Sequence, residues 1–410
     1  MRSVDAFIAL NRFGLGAGPG GDAPLGGDPR GWLVSQLAGG VPAAPPGRSA
    51  DELLTEVSRA RLDGQGEQAI RLAMERDFRP ALLARGAHLV QSEAPLVERL
   101  VLFWSNHFTV STTRRAIAPM TPAFEVEAIR PHVLGRFGAM LRAVVRHPVM
   151  LTYLDNPFSV GPDSPDGRAQ GGGVNENLAR EVLELHTLGA RGGYTQADVT
   201  QFALALTGWS HGGHPGSGDE ALHGRFRFVP GHHQPGPKEV LGRRYDEAGE
   251  GEGLAILDNL ARHPATARHL ATKLVRHFVA DDPPEAAVQR IAGVFLDSEG
   301  DLAEVARALV SLPQAWSEPL AKVKTPHELV LAVHRALGGE APPPGDYLRP
   351  LRLLGMMPFS APGPQGWGDR ARDWLTPEAL MTRIAWLRGL TPAGTAAARG
   401  DGGEHRRRSP

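Results

Sequence analysis

The sequence predicts a mainly α-helical fold: a single large multi-helix domain with a small β-hairpin insertion and long Gly/Pro-rich loops. Three observations lead there. The 50 Gly and 35 Pro of the 410 residues gather in patches, and between the patches apolar residues recur at three- and four-residue steps. One short stretch, RFRFV at 225–229, alternates as a strand does. No internal repeat of fixed period is present, which argues against a solenoid. The domain is expected over 1–392, with the hairpin insertion at about 212–245 and a disordered basic tail at 393–410.

Element by element, 14–29 is a Gly/Pro-rich arm leading to a short helix at 32–37. Amphipathic helices follow at 51–74 and 93–103, the second opening with Ser92, Glu93 and Pro95 as first-turn residues, and another covers 131–145. Residues 156–173 form a turn-rich loop that delivers the chain to a helix beginning near Asn177 and stopped by GARGGY at 189–194. Thr195 and Asp198 then suit an N-cap and its acidic partner, which makes Asp198 a capping residue before it is a catalyst. Successive helices are expected at 254–279, 284–296, 302–312 and 326–337, loops at 338–345 and 360–368, and a final helix at 376–387.

Lys+Arg 44 against Asp+Glu 45 leaves a formal net charge of -1, so no global field favours nucleic acid. Cys 0 removes disulfides, thiolate nucleophiles and cysteine-ligated metals. The 16 His keep histidine–carboxylate sites for a divalent metal open. No secretory signal and no run of 18 uncharged apolar residues is read, so a cytoplasmic location is the default. A GxSxG elbow, a P-loop, a dinucleotide-binding glycine fingerprint and an HExxH helix are all lacking.

The chemistry concentrates in 175–209, NENLAREVLELHTLGARGGYTQADVTQFALALTGW. At about 100° per residue, Asn177, Arg180, Glu181 and Glu184 share one helical face, while Leu178, Val182 and Leu185 face away and His186 lies opposite the glutamates. The plain alternative is a solvated stripe with an Arg180–Glu184 pair. Upstream, Trp104, Asn106 and His107 end an apolar helix, where aromatic packing holds an imidazole and an amide; a hydrogen-bonded core histidine is the competing reading. If the two segments pack, His107 should meet Glu181 or Glu184 as an acid/base pair or as part of a metal site.

These motifs resemble those of a bacterial family known as domain of unknown function 1800. The run from Asn175 to Gly189 follows its N-E-N-x-A-R-E-L-x-E-L-x-T-L-G pattern, with Val182 at the usual leucine, and LNRFGLG (10–16), FWSNHF (103–108), GYTQADV (193–199) and LTGW (206–209) extend the likeness over nearly the whole chain. GHHQPGPKEVLG (231–242) resembles the family's H-D-x-G-x-K-x-x-L-G stretch, with Gln234 where aspartate is usual. MMPFSAPGPQGW (356–367) is similar to its aromatic and proline-rich C-terminal stretch, read as packing more than as a pocket wall. The resemblance implies ancestry and no reaction. The expectation drawn is a hydrolytic enzyme with His107, Glu181 and Glu184 as acid/base groups or metal ligands, and with Asn106, Asn175, Asn177, Arg180, Trp209, His233 and Lys238 binding substrate. The rival expectation is a non-enzymatic helical accessory protein, since the resemblance implies as partner an exported protein resembling sulfatases and alkaline phosphatases.

Overall fold

The computed structural model describes residues 4–213 and 224–390. Helices dominate, and among the described residues strands form just two antiparallel pairs, Trp209–His211 with Phe226–Phe228 and Lys238–Val240 with Arg243–Tyr245. The mainly helical class is therefore as the periodicity predicts, and both pairs fall at or beside the expected insertion. The second pair closes through Leu241 and Gly242, both at positive φ (53° and 69°), the geometry of a tight hairpin turn. The Leu241 backbone N–H is held by the Asp198 carboxylate at 2.6 Å, while the same carboxylate completes a capping box with Thr195. The expected tail at 393–410 lies outside the described residues.

Several helices differ from their predicted spans for local reasons. The 254–279 segment is two helices, Glu250–Ala261 and Pro264–Phe278, because Pro264 cannot continue the first and His263 caps the second through Nδ1. The 51–74 segment breaks at Gly64 into Ala50–Leu62 and Gly66–Ala73. Arg79–Gln91 and Pro344–Leu353 are helices that the periodicity did not mark, the latter starting inside a predicted loop. Among the described residues four segments wind with the wider i→i+5 turn: Ala9–Phe13, Met74–Phe78, Glu125–Ile129 and Val182–His186. Such turns are rare and concentrate at functional sites.

The helix Pro95–His107 is the structural axis, with Leu96, Val97, Leu100, Val101, Phe103 and Trp104 all buried in the main apolar cluster. Each such side chain is worth about 1.5–3 kcal/mol in transfer free energy. Pro29–Ala38 and the N-terminal turn Ala9–Phe13 pack against it. A second cluster, including Leu82, Leu89, Val330, Tyr347 and Leu351, joins the Arg79–Gln91, Pro326–Leu337 and Pro344–Leu353 helices. Among the described residues no helix is long and apolar enough to cross a membrane.

Candidate functional site

The signature segment is half-buried rather than enclosed. Asn175 shapes the helix start, its Oδ1 accepting from the Asn177 backbone N–H at 2.9 Å, and the Asn177 side chain is exposed. Arg180 pairs with Glu176 at 2.8 Å, not with Glu184. Glu184 accepts from the Tyr194 hydroxyl at 3.1 Å. Glu181 is half-buried, and burial, then the neighbouring Glu184 charge, raise its pKa against the pull of Arg180. The expected meeting of His107 with either glutamate is not formed. His107 instead donates from Nε2 to the His186 carbonyl at 3.1 Å, and among the described residues no group of three His, Asp or Glu is placed to hold a metal ion.

Packing explains that substitution of partners. The wide turn Val182–His186 carries His186 into the core beside Phe108, ring centroids 5.1 Å apart, while the glutamates stay at the surface side. His107 and His186 are fully buried, and His107 Nδ1 and both His186 ring nitrogens lack a hydrogen-bond partner. Burial, then the Lys273 charge, brings His186 down to about 3 and His269 to about 4. A histidine neutral in the fold but titrating near 6.5 when unfolded stabilises fully above that pH and loses this contribution as pH falls toward 3. His186→Phe should therefore stabilise by about 1 kcal/mol at neutral pH, with a larger gain at pH 4–5. Urea unfolding at both pH values checks this, and equal or lower stability at pH 4–5 would refute it.

Trp209, His233 and Lys238 are internal. Trp209 is fully buried, close against the backbone of Gly253. The Lys238 ammonium is 2.8 Å from the Glu252 carboxylate, the side chains 1% and 0% exposed, and His233 Nε2 is 3.5 Å from the same carboxylate. Burial opposes ionisation of Glu252, but His233 and Lys238 hold it below the ordinary carboxylate range.

A different constellation lies open to cavities, and Asn106 belongs to it. Its side-chain amide donates to the Trp367 carbonyl (3.0 Å) and accepts from the Trp367 N–H (2.8 Å). Gly366 sits at φ +79° with its Cα so close that a Cβ would lie 2.4 Å from the Asn106 carbonyl oxygen, so the loop can approach only with glycine there. Ser111 donates to the Ala361 carbonyl at 2.7 Å and the Thr112 N–H to the Phe359 carbonyl at 2.7 Å, strapping 359–367 along the end of the Pro95–His107 helix. The strap ends at Asp369, whose Oδ1 is 2.7 Å from Nδ1 of His277 in the last turn of Pro264–Phe278.

The imidazole's protonation pattern follows from its neighbours. Arg99 Nη2 lies 3.1 Å from His277 Nε2, and a guanidinium can only donate, so Nε2 accepts and the proton sits on Nδ1, donated to Asp369. Burial lowers the His277 pKa, Asp369 opposing and Arg99 adding, which leaves a neutral ring. Burial would raise the Asp369 pKa, yet contact with His277 and the charges of Lys273 and Lys322 hold it low. Arg99 is fixed in turn by an ion pair to Glu328, whose other oxygen accepts from the Thr325 N–H at 2.8 Å in the capping box opening Pro326–Leu337.

His277, Thr325, Glu328 and Asp369 form a wall common to two cavities. One, about 80 Å³, runs along the strap and includes Asn106, Ser105 and Trp367. The other, about 210 Å³, is bounded by Asn11, Arg12, Lys322 and Lys324. Lys322 donates to the Asp369 carbonyl at 2.7 Å and pairs with Asp281. Neutral histidine with an adjacent carboxylate, in a cavity carrying several cations, is equipped to take a proton from water or substrate.

A family model described as a protein of unknown function (DUF1800) matches residues 8–406, nearly the whole chain. The chain belongs to the DUF1800 family. Comparison with curated proteins and with solved structures gives no match. Membership places no chemistry on any residue, so geometry alone distinguishes the dyad from the signature segment. Within this DUF1800 chain the residues around this dyad, Asn106 apart, went unmarked in the sequence, although signals lay beside some of them: T-P-H-E at 325–328 is a capping-box pattern, Arg12 lies inside LNRFGLG, and Asp369 follows the Pro-rich stretch by two residues.

Proposed function

We propose that this protein is a hydrolytic enzyme whose general base is His277, oriented by Asp369. The observation that carries the reading is the 2.7 Å Nδ1–carboxylate contact in a wall between two cavities, with Nε2 as the acceptor end. In the reaction, Nε2 takes a proton from water as its oxygen adds to the substrate's electrophilic centre, and returns that proton to the leaving group. Arg99 moves from Nε2 to a substrate oxygen, which both frees the lone pair and supplies a cation where negative charge develops. Asn106 acts as a positioning residue through the strap. Glu181, Glu184 and His107 have no step in this scheme.

The test is a panel of carboxylic, phosphate and sulfate esters presented to the full chain and to His277→Gln. The wild type should turn over at least one class, and the variant should lose about 10²- to 10⁴-fold in kcat/KM for it. Turnover unchanged in the variant, or none by the wild type, would reject the assignment.

A second reading, a helical accessory protein for a sulfatase- or alkaline-phosphatase-like partner, is favoured by a separate observation. Leu375, Leu380, Met381 and Leu387 remain exposed in and just before the C-terminal helix Pro377–Arg388. If that face serves a partner, Leu380→Ser with Met381→Ser abolishes co-purification while His277→Gln does not.

A further inference from the structure

We infer that the substrate of this site carries a small oxyanion, a carboxylate or a phosphate, and that Lys324 and Arg12 bind it in the cavity between the N-terminal turn and residues 319–325. The inference rests on the hydrolytic reading of His277 and adds the substrate class.

Its ground is an imbalance of partners. Several internal cations of the described residues meet a carboxylate directly: Arg85 with Glu125, Arg130 with Glu98, Lys238 with Glu252, Arg99 with Glu328 and Lys322 with Asp281. Lys324 and Arg12 do not, and neither do Arg335 and Arg383, which rest on carbonyls outside the lining of this cavity. Lys324 donates to the Asn11 carbonyl at 2.8 Å, and Arg12 spends its two terminal nitrogens on the Ala315 and Glu318 carbonyls. Arg12 Nε is buried without a partner, and both side chains bound the cavity of about 210 Å³, far more than the ~15 Å³ that one water needs. A buried cation satisfied by carbonyl dipoles alone retains most of its desolvation cost, which a ligand anion offsets.

Facing the cavity are Arg12, Arg99, Lys322 and Lys324 with Glu328, Asp369 and a neutral His277. Glu328 serves Arg99, Asp369 serves His277, Asp281 serves Lys322 and the Glu318 charge acts on Arg12, which leaves Lys324 as the cation of this wall with no carboxylate. Burial, with Arg99 adding, brings the Lys324 ammonium down to about 7, so an arriving anion also restores its proton. The wide turn Ala9–Phe13 turns Asn11 and Arg12 of the LNRFGLG motif to this cavity, which gives a motif with no step in the His277 scheme a place in binding.

The probes are inorganic phosphate and acetate, titrated at constant ionic strength into wild type, Lys324→Met, Lys324→Arg and His277→Gln, with thermal stability and calorimetry as readouts. Saturable stabilisation by one of the two is expected in the wild type, kept in Lys324→Arg and weakened about 10-fold or more in Lys324→Met. The tighter probe identifies the class. Lys324→Met should fold, since it removes an uncompensated charge. His277→Gln should keep the anion and lose turnover, so failure of the base and failure of the anion site separate cleanly. No saturable response to either probe, or an unaltered response in Lys324→Met, would overturn the inference.

Discussion

Asp369→Asn should leave the fold in place and lower kcat/KM by about 10²- to 10⁴-fold on any substrate that the wild type turns over. The reason is charge, not geometry. Arg99 by itself keeps Nε2 of His277 an acceptor, so an asparagine oxygen can still receive the Nδ1 proton and the ring keeps its orientation. What disappears is the carboxylate that stabilises the imidazolium formed when Nε2 takes its proton. Asp369 raises the His277 pKa against burial, so its removal should carry the acid limb of the pH–rate profile to lower pH while cutting the plateau. A profile of kcat/KM from pH 4 to 8 measures both. If the plateau holds within twofold, or the limb moves upward, His277 is not the base. Asn106→Ala supplies the intermediate case: releasing the amide clamp on Trp367 should loosen Asp369 and reduce kcat, with the limb moving to lower pH by less than in Asp369→Asn.

The contrast between what the sequence discloses and what it hides has a physical cause at particular residues. Helices were legible where apolar spacing is long and uninterrupted, as at 284–296 against the observed Glu285–Asp297 and at 302–312 against Leu302–Ser311. Thr195 with Asp198 was legible because a capping box is local. The dyad was not, since His277 and Asp369 are 92 positions apart and meet only through the strap held by Asn106 and Gly366. Helical-wheel reasoning on the signature segment set His186 opposite the glutamates, the side that the structure buries, but it could not see that a wide turn would put the His186 carbonyl, and no carboxylate, against His107. Polar density along a sequence marks where side chains are near one another on one element; catalytic pairs are usually assembled between elements.

Lys238→Met separates a structural cation from a binding one and should cost about 3–5 kcal/mol of stability. Lys238 and Glu252 are both shut away from water at 2.8 Å, and the lysine also donates to the Gln234 carbonyl at 2.5 Å. Removing the ammonium leaves Glu252 buried with the Ala248 N–H and the more distant His233, so the carboxylate must draw a proton onto itself or onto His233 to remain inside. Changing both partners, Lys238→Met with Glu252→Leu, should recover most of the loss, because two apolar groups need no pairing and replacing a whole buried pair is often neutral. Turnover in Lys238→Met should stay near wild type below its unfolding transition. Urea unfolding of the two variants beside their kcat/KM decides the matter: a stable Lys238→Met protein with lost turnover would return Lys238 to the substrate-binding role that its motif suggested. An unstable one rescued by the second substitution fixes it as the counterion that holds the hairpin to the Glu250–Ala261 helix.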